Sequence, residues 1–120
     1  MPSVKSKINI LSVADRRFAA LKRQILVLGY VRPGSLVRRF MRCGTPGCRC
    51  MANPPQLHGP YYQWSYKVKG KTRSVRLTEE HARYCEAYLE NHRQLRRFVR
   101  QMEQHSIKKT DKIFGAISHS

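Results

Sequence analysis

Between Asp15 and Glu79 the chain contains no Asp and no Glu. That absence excludes from the segment any centre built on convergent carboxylates, a two-metal nuclease above all, because such centres hold their ions through clustered acids. The 7 acids of the whole chain all fall at or beyond those two positions, where most of them suit helix ends or exposed helix faces. Long apolar runs are missing too. No stretch approaches the roughly 18 apolar residues of a membrane span, and residues 1–30 have no long apolar core followed by a small-residue cleavage site. The expectation is a cytoplasmic protein with no membrane partner. Cysteine is scarce at 4, and Cys48 and Cys50 lie too close to Cys43 to staple much of a chain. Reduced thiols, used as ligands or buried, fit better than the disulfide framework of a secreted domain.

What is present in excess is positive charge. In 120 residues there are 24 Lys and Arg, giving a formal net charge of +17, and 14 of the 24 fall within the acid-free segment. Self-repulsion of that size opposes compaction unless a polyanion neutralises it, and phosphate is the natural partner. Arg outnumbers Lys by 15 to 9, which favours flat bidentate contacts to phosphate or guanine over a merely solubilising coat. The length suits one small domain, spanning residues 1–105, with a thin core and a loosely held basic tail over 106–120.

The pattern predicts an α+β fold. Leu11, Ala14, Phe18, Leu21, Ile25 and Leu28 alternate at three and four, laying one apolar stripe along a helix over 11–28, with Ser12 and Asp15 as a capping box and Gly29 as the stop. The segment 35–60 reads as a short Arg-rich strand over 35–42, for which helix is an alternative, and then a cysteine-rich, proline-rich loop. Tyr61 to Leu77 reads as a β-hairpin turning at Lys69-Gly70. Setting Val68 opposite Lys71 places Tyr62, Trp64, Tyr66, Val75 and Leu77 on one face, and Gln63, Ser65, Lys67, Thr72, Ser74 and Arg76 on the other. With the preceding strand a three-stranded sheet is open to it. Thr78 caps a second helix over 79–104, whose stripe is Cys85, Tyr88, His92, Leu95, Val99 and Met102. The two helices are expected to pair antiparallel around the central insertion, with dimerisation through the same seam left open.

Cys43-x4-Cys48-x-Cys50 brings three soft ligands within eight residues, and Gly44, Pro46 and Gly47 permit the reversal that converges them. The expected cofactor is a tetrahedral zinc ion. Of two candidates for the fourth ligand, His58 is preferred to Cys85, because His58 lies in a loop that can fold back whereas Cys85 occupies a helix seam. The competing reading is three free or half-buried thiols in a turn, since the spacings are not those of two-residue knuckles. Arg42 and Arg49 flank the thiols, and such neighbours lower a thiol pKa, which suits a metal ligand and a redox sensor alike.

The nucleic-acid contacts expected are Arg38, Arg39, Arg42 and Arg49 around the loop, Tyr61, Lys67, Lys69, Lys71, Arg73 and Arg76 on the hairpin, and Arg93 and Arg97 on the second helix. Tyr62, Trp64 and Tyr66 are read as core, and Tyr61, on the polar side, as the candidate for base stacking. A basic ribbon of this kind can enter a major groove.

Gly34-Ser35-Leu36-Val37-Arg38-Arg39, Arg42-Cys43-Gly44-Thr45-Pro46-Gly47-Cys48-Arg49-Cys50, His58-Gly59-Pro60-Tyr61-Tyr62-Gln63-Trp64 and Gly70-Lys71-Thr72 together resemble a family of small uncharacterised prokaryotic proteins. The resemblance covers about residues 30–100 and implies no catalytic assignment. An association with mobile elements or phage would be consistent with nucleic-acid handling. The expectation that follows from the residues is a non-enzymatic DNA-binding accessory factor for transposition, recombination or transcription, alone or in a larger nucleoprotein assembly. The alternatives are an RNA-binding or ribonucleoprotein component, and a thiol-dependent enzyme or redox sensor around Cys43, Cys48, Cys50 and His58. For the last, no third orienting residue is evident.

Overall fold

The computed structural model describes residues 15–115. Asp15 begins the first helix. Its backbone is extended and its carboxylate accepts the Phe18 amide at 3.1 Å, satisfying one of the donors that a helix start leaves unpaired. Asp15 is thus the N-cap of this helix; Leu11, Ser12 and Ala14, and with them the Ser12 capping box, lie outside the described residues. Helix α1 spans Arg16–Leu26 and buries Leu21, with Phe18 and Ile25 half-buried on the expected stripe. It stops short of Leu28, whose amide closes on the Ile25 carbonyl at 3.1 Å. Gly29 is not left-handed, so the stop is a tightened last turn rather than a glycine cap.

Three antiparallel strands follow, β1 (Ser35–Met41), β2 (His58–Val68) and β3 (Lys71–Leu77), in the order β1-β2-β3. The hairpin register is the one the residue parity requires, Val68 opposite Lys71, Trp64 opposite Val75 and Tyr62 opposite Leu77. Strand β1 adds to the other edge of β2, with Leu36 opposite Trp64 and Arg38 opposite Tyr62. Gly34 permits this approach. Its φ is 98°, and a Cβ there would fall 2.1 Å from the Ser65 carbonyl oxygen, so only glycine lets the chain enter β1 this close to β2.

Thr78 caps the second helix, α2 (Glu79–Phe114), its hydroxyl accepting the His81 amide at 3.1 Å while Glu79 and Glu80 sit at the positive end. At 36 residues the helix is about 54 Å long. It continues through Ser106 to Phe114, where a loose tail was expected. Within this stretch the Thr110 hydroxyl donates to the Ser106 carbonyl one turn back at 2.7 Å. Among the described residues no helix is long and apolar enough to cross a membrane.

By their contacts the residues fall into two compact units. One comprises Tyr30–His92, and thus the sheet, the cysteine loop and the first turns of α2. Its core is Trp64, Cys85 and Leu89, the last only 2% exposed, with Leu36, Tyr66 and Leu77 packed against it. Trp64 stacks on Tyr66 with ring centroids 4.0 Å apart, and its indole donates to the Pro33 carbonyl at 2.8 Å. The connector before β1 is tied to α2 by the Arg32 amide on the Tyr88 carbonyl (3.1 Å) and the Asn91 amide nitrogen on the Tyr30 carbonyl (2.9 Å). The buried stripe of α2 in this unit is Ala82, Cys85 and Leu89. Ala82 and Leu89 are additions to the expected seam.

The other unit comprises the residues up to Gly29 and those from Arg93 onward. Here His105 Nε2 meets Asp15 Oδ2 at 2.6 Å. The Phe18 amide, and after it His105, hold the Asp15 carboxyl below its ordinary value of 3.8. Leu95 and Met102 are half-buried along α2 in this unit, while Val99, expected in the seam, is exposed.

Candidate metal centre and basic sheet face

The three cysteines and His58 converge because the β1-β2 ladder brings their chain positions together. Met41 pairs with His58 at the end of the ladder, and Cys43 follows two residues later. The loop then reverses, the Cys48 amide donating to the Thr45 carbonyl at 3.2 Å, and a short 3-10 turn over Arg49–Met51 directs Cys50 inward, where it is fully buried. Gly59 fixes the approach of His58. Its φ is 134° and a Cβ would stand 2.7 Å from the Arg39 carbonyl oxygen, beside the irregularity between Arg39 and Met41.

One ligand atom from each of Cys43, Cys48, Cys50 and His58 lies within 4.8 Å of every other. Cys43 Sγ and Cys50 Sγ are 3.5 Å apart, and Cys48 Sγ and His58 Nε2 are 3.1 Å apart. A tetrahedral zinc ion with ordinary bond lengths has sulfur–sulfur edges of about 3.8 Å and sulfur–nitrogen edges of about 3.6 Å. The cluster therefore matches a tetrahedral shell to within a few tenths of an ångström on these two edges. All four cysteines of the chain are free thiols. The four side chains could hold one metal ion, and as a complete set they would leave no position for a reacting water. His58 is the fourth member; Cys85 is buried against Trp64 and Leu89, where desolvation pushes its thiol up.

The thiols are not equivalent. Cys43 is exposed, and hydrogen bonds from the Thr45 side chain and amide, followed by Cys50 and Cys48, lower its pKa to about 6. The Thr45 amide is 3.5 Å from Cys43 Sγ. At Cys50 the Cys43 amide, 3.4 Å from Sγ, lowers the pKa, but desolvation and the neighbouring Cys43 and Cys48 thiols outweigh it and the net shift is upward. Crowded thiols of this kind resist ionising together, and a cation among them removes the conflict.

The sheet has two unlike faces. Leu36, Trp64, Tyr66 and Leu77 belong to the face that packs on α2. On the opposite face, Ser65 and Ser74 pair across β2 and β3 at 3.0 Å, and the Arg39 guanidinium reaches Gln63 at 3.4 Å. There the Arg76 guanidinium lies 4.3 Å from the centre of the Tyr61 ring. This open face carries Arg39, Tyr61, Lys67 and Arg76 and no carboxylate.

A family model described as a domain of unknown function (DUF6788) matches residues 14–86. The chain belongs to this family. The matched segment contains α1, the whole sheet, all four candidate metal ligands and the first turns of α2. No curated protein and no solved structure matches the chain. The DUF6788 assignment agrees with the resemblance to an uncharacterised family and brings no activity with it.

Within this DUF6788 chain the expected contact residues separate. Arg39, Tyr61, Lys67 and Arg76 share the open face, whereas Arg38, opposite Tyr62, lines a cleft beside Glu79, Arg83 and Glu86 on the helix side of the sheet. Parity puts Lys71 and Arg73 on that helix side as well, although both are exposed, and Lys69 occupies the turn with φ 51°. Arg42 and Arg49 are exposed beside the cysteine–histidine cluster, and Arg93 and Arg97 belong to the other unit. Thr45 was missed: it stands two residues after Cys43, where a turn amide meets sulfur. Gln63, expected on the polar face with Arg76, was not singled out as the partner of Arg39.

Proposed function

We propose that this protein is a non-enzymatic, zinc-stapled DNA-binding protein that contacts duplex DNA through the open face of its sheet, acting as an accessory factor in transposition, recombination or transcription. The observation that carries the reading is the segregation of the sheet. One face is core against α2, and the other presents Arg39, Lys67 and Arg76 with hydroxyl and amide donors and no acid. Three strands at about 4.8 Å spacing make a backbone about 10 Å wide, close to the roughly 12 Å width of the major groove. The ring of Tyr61 is already covered by Arg76, and the other aromatic residues of β2 face the core side, which supports phosphate and groove-edge contact over base stacking.

Zinc is the ion proposed for the cluster. Three thiolates and one imidazole form a soft donor set of tetrahedral shape, and a closed four-ligand centre suits structure rather than catalysis. Its role in this reading is to lock the end of the β1-β2 ladder and so hold Arg39 and Tyr61 in register.

The test is fluorescence anisotropy with a short DNA duplex across a salt series, together with metal analysis of the purified chain. Binding should weaken linearly in log salt, and Arg39→Gln with Arg76→Gln should flatten the slope by about 1.8, at about 0.9 per phosphate contact. Arg73→Gln, on the other face, should change it far less. No duplex affinity at low salt refutes the reading, and preferential binding of single-stranded or structured RNA at equal salt replaces DNA by RNA as the partner. One zinc per chain, lost in Cys50→Ser, is the expected metal result.

A further inference from the structure

Helix α1 and the C-terminal part of α2 form a cleft of about 500 Å³ in the unit that lacks the sheet. Arg17 lines it from α1, and Lys108, Lys109 and Lys112 line it from α2, with Gln101 and Gln104 supplying neutral donors. His105 completes the wall and is held from behind by Asp15, whose two oxygens are occupied by His105 Nε2 and the Phe18 amide. Among the described residues no carboxylate lines the cleft. Four permanent cations therefore face one space, and Lys108 and Lys112, one helical turn apart, repel one another.

Two ordinary explanations fall short. Lysines near a helix C-terminus complement its dipole, but that effect is confined to the last turn and covers Lys112, not Lys108, Lys109 or Arg17. A pocket for a metabolite would offer apolar walls with a few polar groups, whereas here, among the described residues, each lining side chain is polar or charged. What such a surface fits is an extended ligand that is anionic throughout. A guanidinium fork and several ammonium groups with amide donors match the oxygens of successive phosphates through charge-assisted hydrogen bonds.

We infer that this cleft is a second phosphate-backbone site, separate from the sheet face and serving the same class of ligand, nucleic acid; this rests on the reading given under Proposed function. It also gives the helical segment Ser106–Phe114 a use, since that segment brings Lys108, Lys109 and Lys112 into one group with Arg17.

The experiment uses the full chain carrying Lys108→Gln and Lys112→Gln, with Arg39→Gln/Arg76→Gln as the comparison. Glutamine preserves helix propensity, and circular dichroism with an unchanged melting midpoint confirms folding. Duplex binding is measured over a salt series, and inorganic triphosphate is used as a small probe of the cleft through its effect on Tm. The expected result is a log-log salt slope shallower by about 1.8 in the lysine variant, so that the loss of affinity between 50 and 200 mM salt shrinks about twelvefold. A Tm rise with triphosphate in the wild type, absent from the lysine variant and retained in the arginine variant, also supports the site. An unchanged slope in the lysine variant, with binding still sensitive to Arg39 and Arg76, overturns the cleft and leaves the sheet reading standing. Absence of duplex binding with a lysine-dependent triphosphate effect supports phosphate recognition by the cleft and overturns the nucleic-acid reading. Absence of both overturns both.

Discussion

Chelation should release the cysteine loop while leaving the β2-β3 hairpin intact. Among the described residues the backbone bonds of the loop are internal: the Cys48 amide donates to Thr45 (3.2 Å), Met51 to Cys48 (2.9 Å), and Ala52 and Gln56 both to Arg49 (3.1 Å). Cys50 is the one buried loop residue, and it is buried within the cluster. The core of Trp64, Cys85 and Leu89 holds β2 against α2 and includes none of the four ligands. An ion that binds only the closed loop, at a free concentration a thousandfold above its Kd, stabilises it by about 4.1 kcal/mol. Where hydrogen exchange follows the opening equilibrium, that is about a thousandfold in rate for the amides of Cys48, Met51, Ala52 and Gln56, against less than about threefold for the β2-β3 ladder. The assay is hydrogen–deuterium exchange on zinc-loaded and chelated protein at one pH. If loop and ladder accelerate together, the ion supports the whole unit and the local account is refuted. If neither changes, no ion holds the loop.

Gly59→Ala introduces a Cβ 2.7 Å from the Arg39 carbonyl at a φ of 134°; strain of about 1–3 kcal/mol is expected, displacing His58 and weakening metal affinity about tenfold or more in a chelator competition. Leu89→Ala empties a side chain that is 2% exposed and should cost about 2–5 kcal/mol, read as a lower urea midpoint. Asp15 has a folded pKa below 3.8, so the stability it contributes is complete above that value and is lost as pH falls through the lowered folded value. Asp15→Asn keeps a competent cap but not the ion pair, and should flatten the acid limb of the Tm-against-pH curve for the unit holding α1.

The hairpin was legible because period-2 patterning leaves one register in which Trp64 and Val75 share a face with Tyr62 and Leu77, and any one-residue slip would bury Lys67 and Arg76. His58 was legible as the fourth member of the cluster for a similar reason: its loop could return to Cys43, and the ladder makes it do so. Sorting the arginines was beyond the sequence. Arg38 and Arg39 are adjacent and chemically identical, and only the pairing of β1 with β2 shows that Arg38 turns toward Glu79 and Glu86 while Arg39 turns to the open face. The division into two units was hidden as well, because α2 runs unbroken through both and no glycine or proline marks the boundary near His92. The helical tail was missed because residues 106–120 carry no sustained apolar pattern, although in place the helix runs on to Phe114.

The absence of acids between Asp15 and Glu79 acquires a spatial meaning once the sheet is formed. Because α2 supplies Glu79 and Glu86 to the helix side of β1, the positive charge of Arg38 has carboxylates within the same cleft. The open face lies on the other side of the same strands and receives no residue from α2 in its pairing, so Arg39, Lys67 and Arg76 keep an uncompensated field. Self-repulsion there costs stability in the free protein, and a purely structural sheet would relieve it with a single glutamate at Ser65, Thr72 or Ser74. The strands instead carry hydroxyls at those positions, which in the proposed reading would donate to phosphate or base edges without cancelling the charge. A staple that fixes the β1-β2 register would keep this repelling face in one geometry, which gives the cysteine cluster and the missing acids a single physical purpose.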